Sequence, residues 1–506
     1  MSSIPVIIIG AGPAGLATSI ALSRQGIQNI VIEKHPGLSI HPKARGINVR
    51  TMELCRLWGV EENMRQSELP KEARRFLWMD QLKGDSRGDV SFVTKHDTFS
   101  PTEPCLLSQD IFEEKLLACL VTQKNSQILF NSRVIHIEQD DQFVYCELEN
   151  VVDHTRSKFQ CQYLVAADGA KSFVREQCKI GMNGIPLLGT HISVYCKTNL
   201  SPWLSDKPFA VLAFTNPEQL GRIMMAVDLK ERWIFSKRVA DPNEMLTNES
   251  AIQLVRDTVD EPTLAVDVIN ISKWEMAALS AERYRHGRIF FCGDAAHRMP
   301  PTGGMGMNTG IGDAHNLAWK LAYVLQGFSD ERLLDSYEAE RKPLAETTID
   351  WSVLNANRLR TIFQSIMDGN ESAFYESLKE QTHHVNHIGL DIGFIYSEHA
   401  SDTPTFDPGV YESKAIVGMR APHCEISYQN KKMSTLDLFE KNYVLLAGEA
   451  CSVEKLTLPI SKKCPVTILR IGKDVQSLHQ DFYACYQMTK EQAVLVRPDG
   501  HVAWIN

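Results

Sequence analysis

The chain has 506 residues, more than one hydrophobic core normally fills, so two or three domains are expected. It is 43% hydrophobic and 23% charged, with a formal net charge of -9 and no basic run, which argues against a nucleic-acid partner. No segment approaches the ~20 consecutive apolar residues that span a bilayer, so a membrane is not expected either.

The opening MSSIPVIIIGAGPAG is apolar, breaks at Gly10, Gly12 and Pro13, and lacks a basic leader region, so a soluble cytoplasmic protein is expected. Residues 5–34 read as strand, glycine turn, helix and strand: PVIIIG, then Leu16, Ile20 and Ser23 with Ala17 and Ala21 at helical spacing, a stop at Gly26, and NIVIEK. HPKARGINVRTMELCRLWGV is a loop entering a helix that turns Met52, Cys55, Leu57 and Trp58 inward. RRFLWMD and DVSFVTK form a hairpin across QLKGDSRG. SQDIFEEKLLACLV returns to helix, with Ser108 or Asp110 as cap and Leu116, Leu117 and Leu120 on its apolar face. SRVIHIEQ, FVYCELE and CQYLVAADGA are strands. From 181 to 275 short strands such as HISVYCK, FAVLAF, RIMMAVD and RWIFSK alternate with Pro, Asn and Asp turns, which predicts an antiparallel sheet facing substrate. Of its large side chains, Phe209, Phe214, Met224, Met225, Trp233 and Phe235 either line a pocket or pack the sheet, with core the default. GRIFFCGDAAH restores an apolar strand, and residues 311–326 follow as a helix with Ile311, Ala314, Leu317, Ala318, Leu321 and Leu325 on one face. A mostly helical segment to about 390 leads, through FDPGVY and GMRAPH, to the strands NYVLLAG, VTILRIG and AVLVRPDGHVAWI of a small third domain.

Two glycine loops carry the chemistry. Gly10, Gly12 and Gly15 in GAGPAG fit a dinucleotide fingerprint in its required place between strand and helix. Glu33, 18 residues past Gly15, closes the second strand where a carboxylate accepts ribose hydroxyls. This motif alone leaves FAD and NAD undecided. The second loop, GDAAHRMPPTGGMGMN, decides for the longer cofactor. Asp294 stands where it can accept ribityl hydroxyls, and the amides of Gly303 to Asn308 at a helix start can face a flavin pyrimidine, where a helix dipole favours negative charge. The twelve cysteines form no CxxC and read as buried thiols. His383 and His387, four apart, could share a helix face but have no neighbouring Glu or Cys to complete a metal site. No GxSxG elbow supports hydrolysis.

Together GAGPAG at 10–15, YLVAADGAKSFVR at 163–175 and FCGDAAHRMPPTGGMGMNTGIGDAHNLAWKLA at 291–322 resemble the single-component FAD-dependent aromatic hydroxylases, in their phenol-hydroxylase and polyketide-hydroxylase branch. The resemblance implies an α/β fold with three parts. They are a discontinuous Rossmann-like FAD-binding domain (1–71, 99–180 and 276–395), an inserted, mostly antiparallel substrate sheet (72–98 and 181–275), and a thioredoxin-like C-terminal domain (406–506) without redox cysteines. It implies noncovalent FAD held by Gly10, Gly12, Pro13, Ala14, Gly15, Glu33, Lys34, Arg45, Gln109, Val134, Asp168, Gly293, Asp294, Pro301, Gly304, Met305, Gly306, Met307 and Asn308. Asp168 and Gly169 belong to a motif linked to both FAD and the nicotinamide cofactor, and Pro300 lies near the flavin and substrate. Met305 replaces a frequent Gln, and Ala167 a frequent Gly. On the residues alone, Arg45 also reads as a solvated loop cation, Asp168 as a helix cap, His297 as a packed histidine and Cys292 as a small buried hydrophobe. No side chain is named as catalytic acid or base, and no metal is expected. The implied reaction uses NADPH or NADH and dioxygen to hydroxylate a small phenolic or polycyclic aromatic through a flavin hydroperoxide. Baeyer-Villiger or epoxidising oxygenation, or a flavin-bound sensor, are the alternatives, and a homodimer stays open.

Overall fold

The computed structural model describes residues 3–92, 98–204, 208–241, 243–396 and 406–506; the end of the expected strand DVSFVTK lies outside them. The first sheet is built on continuous apolar runs, as parallel strands covered on both faces require. Ser3–Ile9 lies between Arg156–Ala166 and Asn29–Ile32, all parallel, with Ile289–Phe291 and Ser126–Leu129 outside them. Val144–Asn150 adds an antiparallel flank. Helix Pro13–Arg24 packs on this sheet through the expected Leu16, Ala17, Ile20 and Ala21, all buried. Its neighbour on that layer is the helix Gly306–Leu325. That helix starts five residues before the expected 311, because Gly306, Gly310 and Gly312 look like loop in sequence yet are helical here.

The second sheet has eight strands in the order 297–298, 267–281, 182–197, 232–239, 222–226, 211–214, 75–79 and 86–91. It is antiparallel except where Val211–Phe214 runs parallel to Arg75–Met79, a strand contributed by the early hairpin. Phe209, Phe214, Met224, Trp233 and Phe235 fill its buried face, while Met225, one residue out of phase, turns to the other face and lines a cavity. A 33-residue helix, Asp335–Met367, crosses beside both sheets. The expected His383–His387 helix face does not form: the helix is only Thr382–Val385, so His387 lies beyond its end. Ser108 occupies the cap position of Gln109–Leu120, but its hydroxyl caps no amide, correcting that expectation.

The C-terminal strands form a four-stranded sheet, Val466–Arg470, Tyr443–Ala447, Ala493–Val496 and Val502–Ile505, and a three-stranded one beside it. Tyr443 and Leu445 pack on Trp319 and Tyr323 of the helix Gly306–Leu325. Below them lies a buried ionic cluster: Lys320 and Arg497 both reach Glu340, and Arg497 also meets Asp499. All twelve cysteines are free thiols. Among the described residues no helix is long and apolar enough to cross a membrane, and no cluster of His, Cys, Asp or Glu could hold a metal ion.

Candidate active site

The opening strand delivers the chain to Gly10 at φ +102°, where a Cβ would sit 2.4 Å from the Ala167 carbonyl oxygen. Gly15 is tighter still: its Cβ would lie 1.9 Å from the Gly10 carbonyl oxygen, so only glycine lets strand and helix approach this closely. Nothing lies within 4 Å of a Cβ on Gly12, which faces a cavity. No side chain caps the helix that begins at Pro13, so its first-turn amides remain donors beside that cavity. Glu33 is pinned at the same edge, with Oε2 accepting from the Ala11 N–H at 2.8 Å and Oε1 from the His35 N–H at 2.9 Å. A carboxylate has about four acceptor positions, so lone pairs remain for ribose hydroxyls. Lys34 is exposed at the rim.

The second loop abuts the first. A Cβ on Gly293 would come 3.1 Å from the Ala14 Cβ, and one on Gly310 would come 3.0 Å from the Gly293 Cα. Asp294 is exposed and opens onto the cavity. Behind it Asp313 accepts from the Gly293 N–H at 3.1 Å, pairs with His297 at 2.7 Å and with Arg341 at 2.7 Å. Burial alone would raise the Asp313 carboxyl, but Arg341 and His297 hold it below its usual value. His297 is therefore a buried structural partner. Cys292, also buried and with its thiol raised by burial, packs against Gly310.

The loop continues through Pro300 and Pro301 to two left-handed glycines, Gly303 at φ +98° and Gly304 at φ +66°. The helix then opens at Gly306, again without a side-chain cap. Asn308 braces the turn by donating to the Gly46 and Gly304 carbonyls, both at 2.9 Å. Met305 is 3% exposed among Leu344, Leu390 and Phe394, an apolar nest that explains a methionine at this position. His384 and His387 contact the N–H and the carbonyl of Gly303, at 3.0 Å each, and the Gly304 N–H donates to the Pro301 carbonyl at 3.0 Å, so of the amides expected to face a flavin those of Gly303 and Gly304 are already taken. Sequence reasoning missed this histidine pair; only the i, i+4 spacing of His383 and His387 had marked the segment.

Arg45 is not a solvated cation. Its guanidinium donates to the Ala226 carbonyl at 2.7 Å and the Ala210 carbonyl at 3.2 Å, and burial lowers its pKa to about 10. It thereby ties its own loop to the second sheet. Gln109 accepts from the Ala44 N–H at 3.1 Å and donates to Glu113 at 2.7 Å, fixing the loop that carries Arg45. Asp168 accepts from the Val174 N–H at 3.1 Å, as a helix cap would, yet its other oxygen is buried without a partner. Burial raises that carboxyl, and an unpartnered acceptor beside the cavity fits a cofactor hydroxyl.

These features surround one continuous cavity of about 2050 Å³. All the expected cofactor residues, Val134 and Pro300 included, line it except Gly15, which is buried behind the loop. Its far wall is the second sheet. There Trp274 stacks on His191 at 4.6 Å and donates to Ser193, which in turn donates to Ser236. Burial, aided by Arg238, depresses the His191 pKa to about 4, so its ring is neutral at ordinary pH. Short polar residues in a sheet carry no motif, so this wall was not legible in sequence.

Comparison with known proteins gives the same picture along the whole chain. A family model described as an FAD binding domain matches residues 3–352, and one described as the aromatic-ring hydroxylase C-terminal region matches 414–506. A Streptomyces halstedii protein with the provisional name of polyketide hydroxylase is 35% identical over 529 residues, covering 99% of this chain and 93% of the relative. The aklavinone 12-hydroxylase RdmE of Streptomyces purpurascens is 32% identical, covering 99% and 95%. A crystal structure of aklavinone-11 hydroxylase in a ternary complex with FAD and aklavinone superposes with a TM-score of 0.84 at 31% identity, over 99% of this chain and 95% of that one. With two glycine loops abutting over one cavity and both family models matched, the chain belongs to the FAD-dependent aromatic-ring hydroxylases.

Proposed function

We propose that this hydroxylase acts on phenolic aromatics of more than one ring, and that the residues lining its cavity divide between cofactor and substrate as follows. The observation that carries this reading is the single cavity. Its volume of about 2050 Å³ exceeds the roughly 300–1,000 Å³ of an ordinary ligand pocket, leaving room for a dinucleotide and a fused-ring substrate together. Bound FAD supplies two-electron chemistry with NADPH or NADH and the activation of dioxygen. Glu33 would accept from the adenosine ribose and Asp294 from the ribityl chain. The amides at Gly306 to Asn308, at a positive helix end, would stabilise negative charge on the flavin.

On the opposite wall, Ser193, Ser236 and the neutral His191 offer hydrogen-bond partners to a phenol amid apolar surface such as Ile223, Met225 and Phe363. Hydrogen bonding to a phenolic oxygen raises the nucleophilicity of its ring, and the enclosing sheet keeps water from the reacting carbon. The nicotinamide cofactor is a transient visitor in this reading, since residues 10–15 carry the only dinucleotide fingerprint in the sequence.

Turnover in labelled dioxygen tests the assignment. One labelled oxygen on an otherwise intact ring is expected for fused-ring phenols, with NADPH oxidation stimulated by the same compounds. Label in an ester or lactone would establish Baeyer-Villiger chemistry instead, and stimulation only by single-ring phenols would overturn the substrate class.

A further inference from the structure

Two histidines from outside the second loop hold the backbone of Gly303 within it. The Gly303 N–H donates to His384 Nε2 at 3.0 Å, and His387 Nε2 lies 3.0 Å from the Gly303 carbonyl oxygen. An N–H requires a lone pair and a carbonyl requires a proton, so these contacts demand opposite states: His384 Nε2 bare, His387 Nε2 protonated. His387 Nδ1 faces Asp391 Oδ1 at 3.1 Å, a carboxylate acceptor, so His387 carries both protons and a positive charge. Among the described residues, the charged groups facing the pair are Asp391 and Arg358. Burial disfavours charge on both rings. Asp391 and the Gly303 carbonyl nevertheless raise His387 above its ordinary value, whereas His387 and Arg358 add to burial and push His384 down to about 4.

The same network reaches the far end of the loop. Asp391 accepts from Asn48 Nδ2 at 2.6 Å, and the Asn48 N–H donates to Asn308 Oδ1 at 3.1 Å. On its other side His384 meets Phe76 of the second sheet edge-on at 5.7 Å. Gly303 and Gly304, both left-handed, supply a backbone that would otherwise sample many conformations.

We propose that His384 and His387 are positioning residues for the hydroxylation: a clamp of one neutral and one charged imidazole that fixes the Gly303 backbone and thereby aims the amides of Gly306 to Asn308 at the bound cofactor's ring. The proposal rests on the reading that this loop meets the ring. The clamp exists within a pH window. Protonating His384, as pH falls through about 4, removes the acceptor for the Gly303 N–H. Deprotonating His387, as pH rises through its raised value, removes one of its two bonds.

The test uses the FAD-loaded protein and reads the visible spectrum of the bound flavin, the FAD dissociation constant and the thermal midpoint. His384→Leu and His387→Leu delete the bonds, whereas His384→Gln keeps an acceptor and His387→Gln a donor. The Leu variants are expected to shift the flavin spectrum and weaken FAD binding by about tenfold, the worth of one hydrogen bond to a buried group. The Gln variants should restore both. The wild-type flavin spectrum should also change along an alkaline limb that His387→Gln lacks, a comparison that decides the matter even if the Leu variants do not fold. Leu variants that lose only thermal stability, with wild-type spectrum and affinity, would overturn the clamp, as would a wild-type spectrum without the alkaline limb. Gly306→Val, which adds bulk at the helix start beside Met299, is the control for ring placement. If it shifts the spectrum while the histidine variants do not, the clamp alone fails; if all are silent, the ring placement fails with it.

Discussion

At the residue scale, the glycines of the first loop do different work, and the difference is measurable. Gly15 is a packing glycine, since any Cβ there would overlap the Gly10 carbonyl oxygen at 1.9 Å, whereas Gly12 has open space where its Cβ would be. Its φ of -74° also suits any L-residue. Gly15→Ala is therefore expected to lower the thermal midpoint of the apoprotein, with a cost of about 1–3 kcal/mol for overpacking. Gly12→Ala should leave that midpoint unchanged but weaken FAD binding at least about tenfold, because the methyl group would occupy the cavity where, on the proposed reading, a pyrophosphate approaches. Apoprotein melting together with FAD titration separates the two, and equal effects of both substitutions on folding would contradict the assignment.

At the element scale, the loop carrying Arg45 follows the first sheet's strand Asn29–Ile32 in the chain yet is fastened to the second sheet through the Ala210 and Ala226 carbonyls. Arg45→Ala takes the guanidinium from the Ala226 carbonyl, while the Ala210 carbonyl keeps the Ala226 N–H at 3.0 Å, and frees the two elements to move apart. Anaerobic flavin reduction by NADPH should slow by about tenfold while most FAD stays bound; an unchanged stopped-flow rate would return Arg45 to a purely structural role. Arg45 also marks the limit of what the sequence discloses. Apolar runs such as PVIIIG and RIFFCG announced the parallel strands, and GAGPAG with Glu33 announced the first loop, because strand burial and glycine sterics are local properties. The partners of Arg45 lie 165 and 181 residues away, and His384 meets a peptide 81 residues before it, so neither contact leaves a trace in local spacing. The alternation that turns Met225 to the cavity and Met224 to the core was present, but a single register choice decides it, and that choice is made by neighbouring strands.

At the scale of the whole molecule, the C-terminal region is fastened by buried charge as well as by apolar packing. Glu340 lies between Lys320 and Arg497. Burial alone would raise its carboxyl, but Arg497 and Lys320 hold it down to about 2. Because the folded value lies below the ordinary 4.5, its contribution to stability is complete above that pH and is lost as pH falls through about 2. Lys320, pushed down to about 8 by burial, partly opposes this by disfavouring its own charge. Glu340→Gln is expected to destabilise the protein by about 3–5 kcal/mol at neutral pH, since it leaves the buried Lys320 without its carboxylate and Arg497 with Asp499 alone, and to flatten the acid limb of stability. Urea midpoints measured from pH 3 to 8 check both; a variant with the wild-type acid limb would remove Glu340 as its source.

The interleaving of the first sheet has a consequence for biosynthesis. Its central strand, Ser3–Ile9, gains a neighbour only when Asn29–Ile32 is made, another only at Arg156–Ala166, and the outer strand Ile289–Phe291 much later. The second glycine loop arrives later still. At the roughly 5–20 residues per second of translation, about 15–60 s separate Gly15 from Asn308 on the ribosome. Throughout that interval the nascent chain carries half a cofactor site and an open sheet edge, so FAD can act as a folding ligand only near the end of synthesis, and the early strands depend on other protection until then.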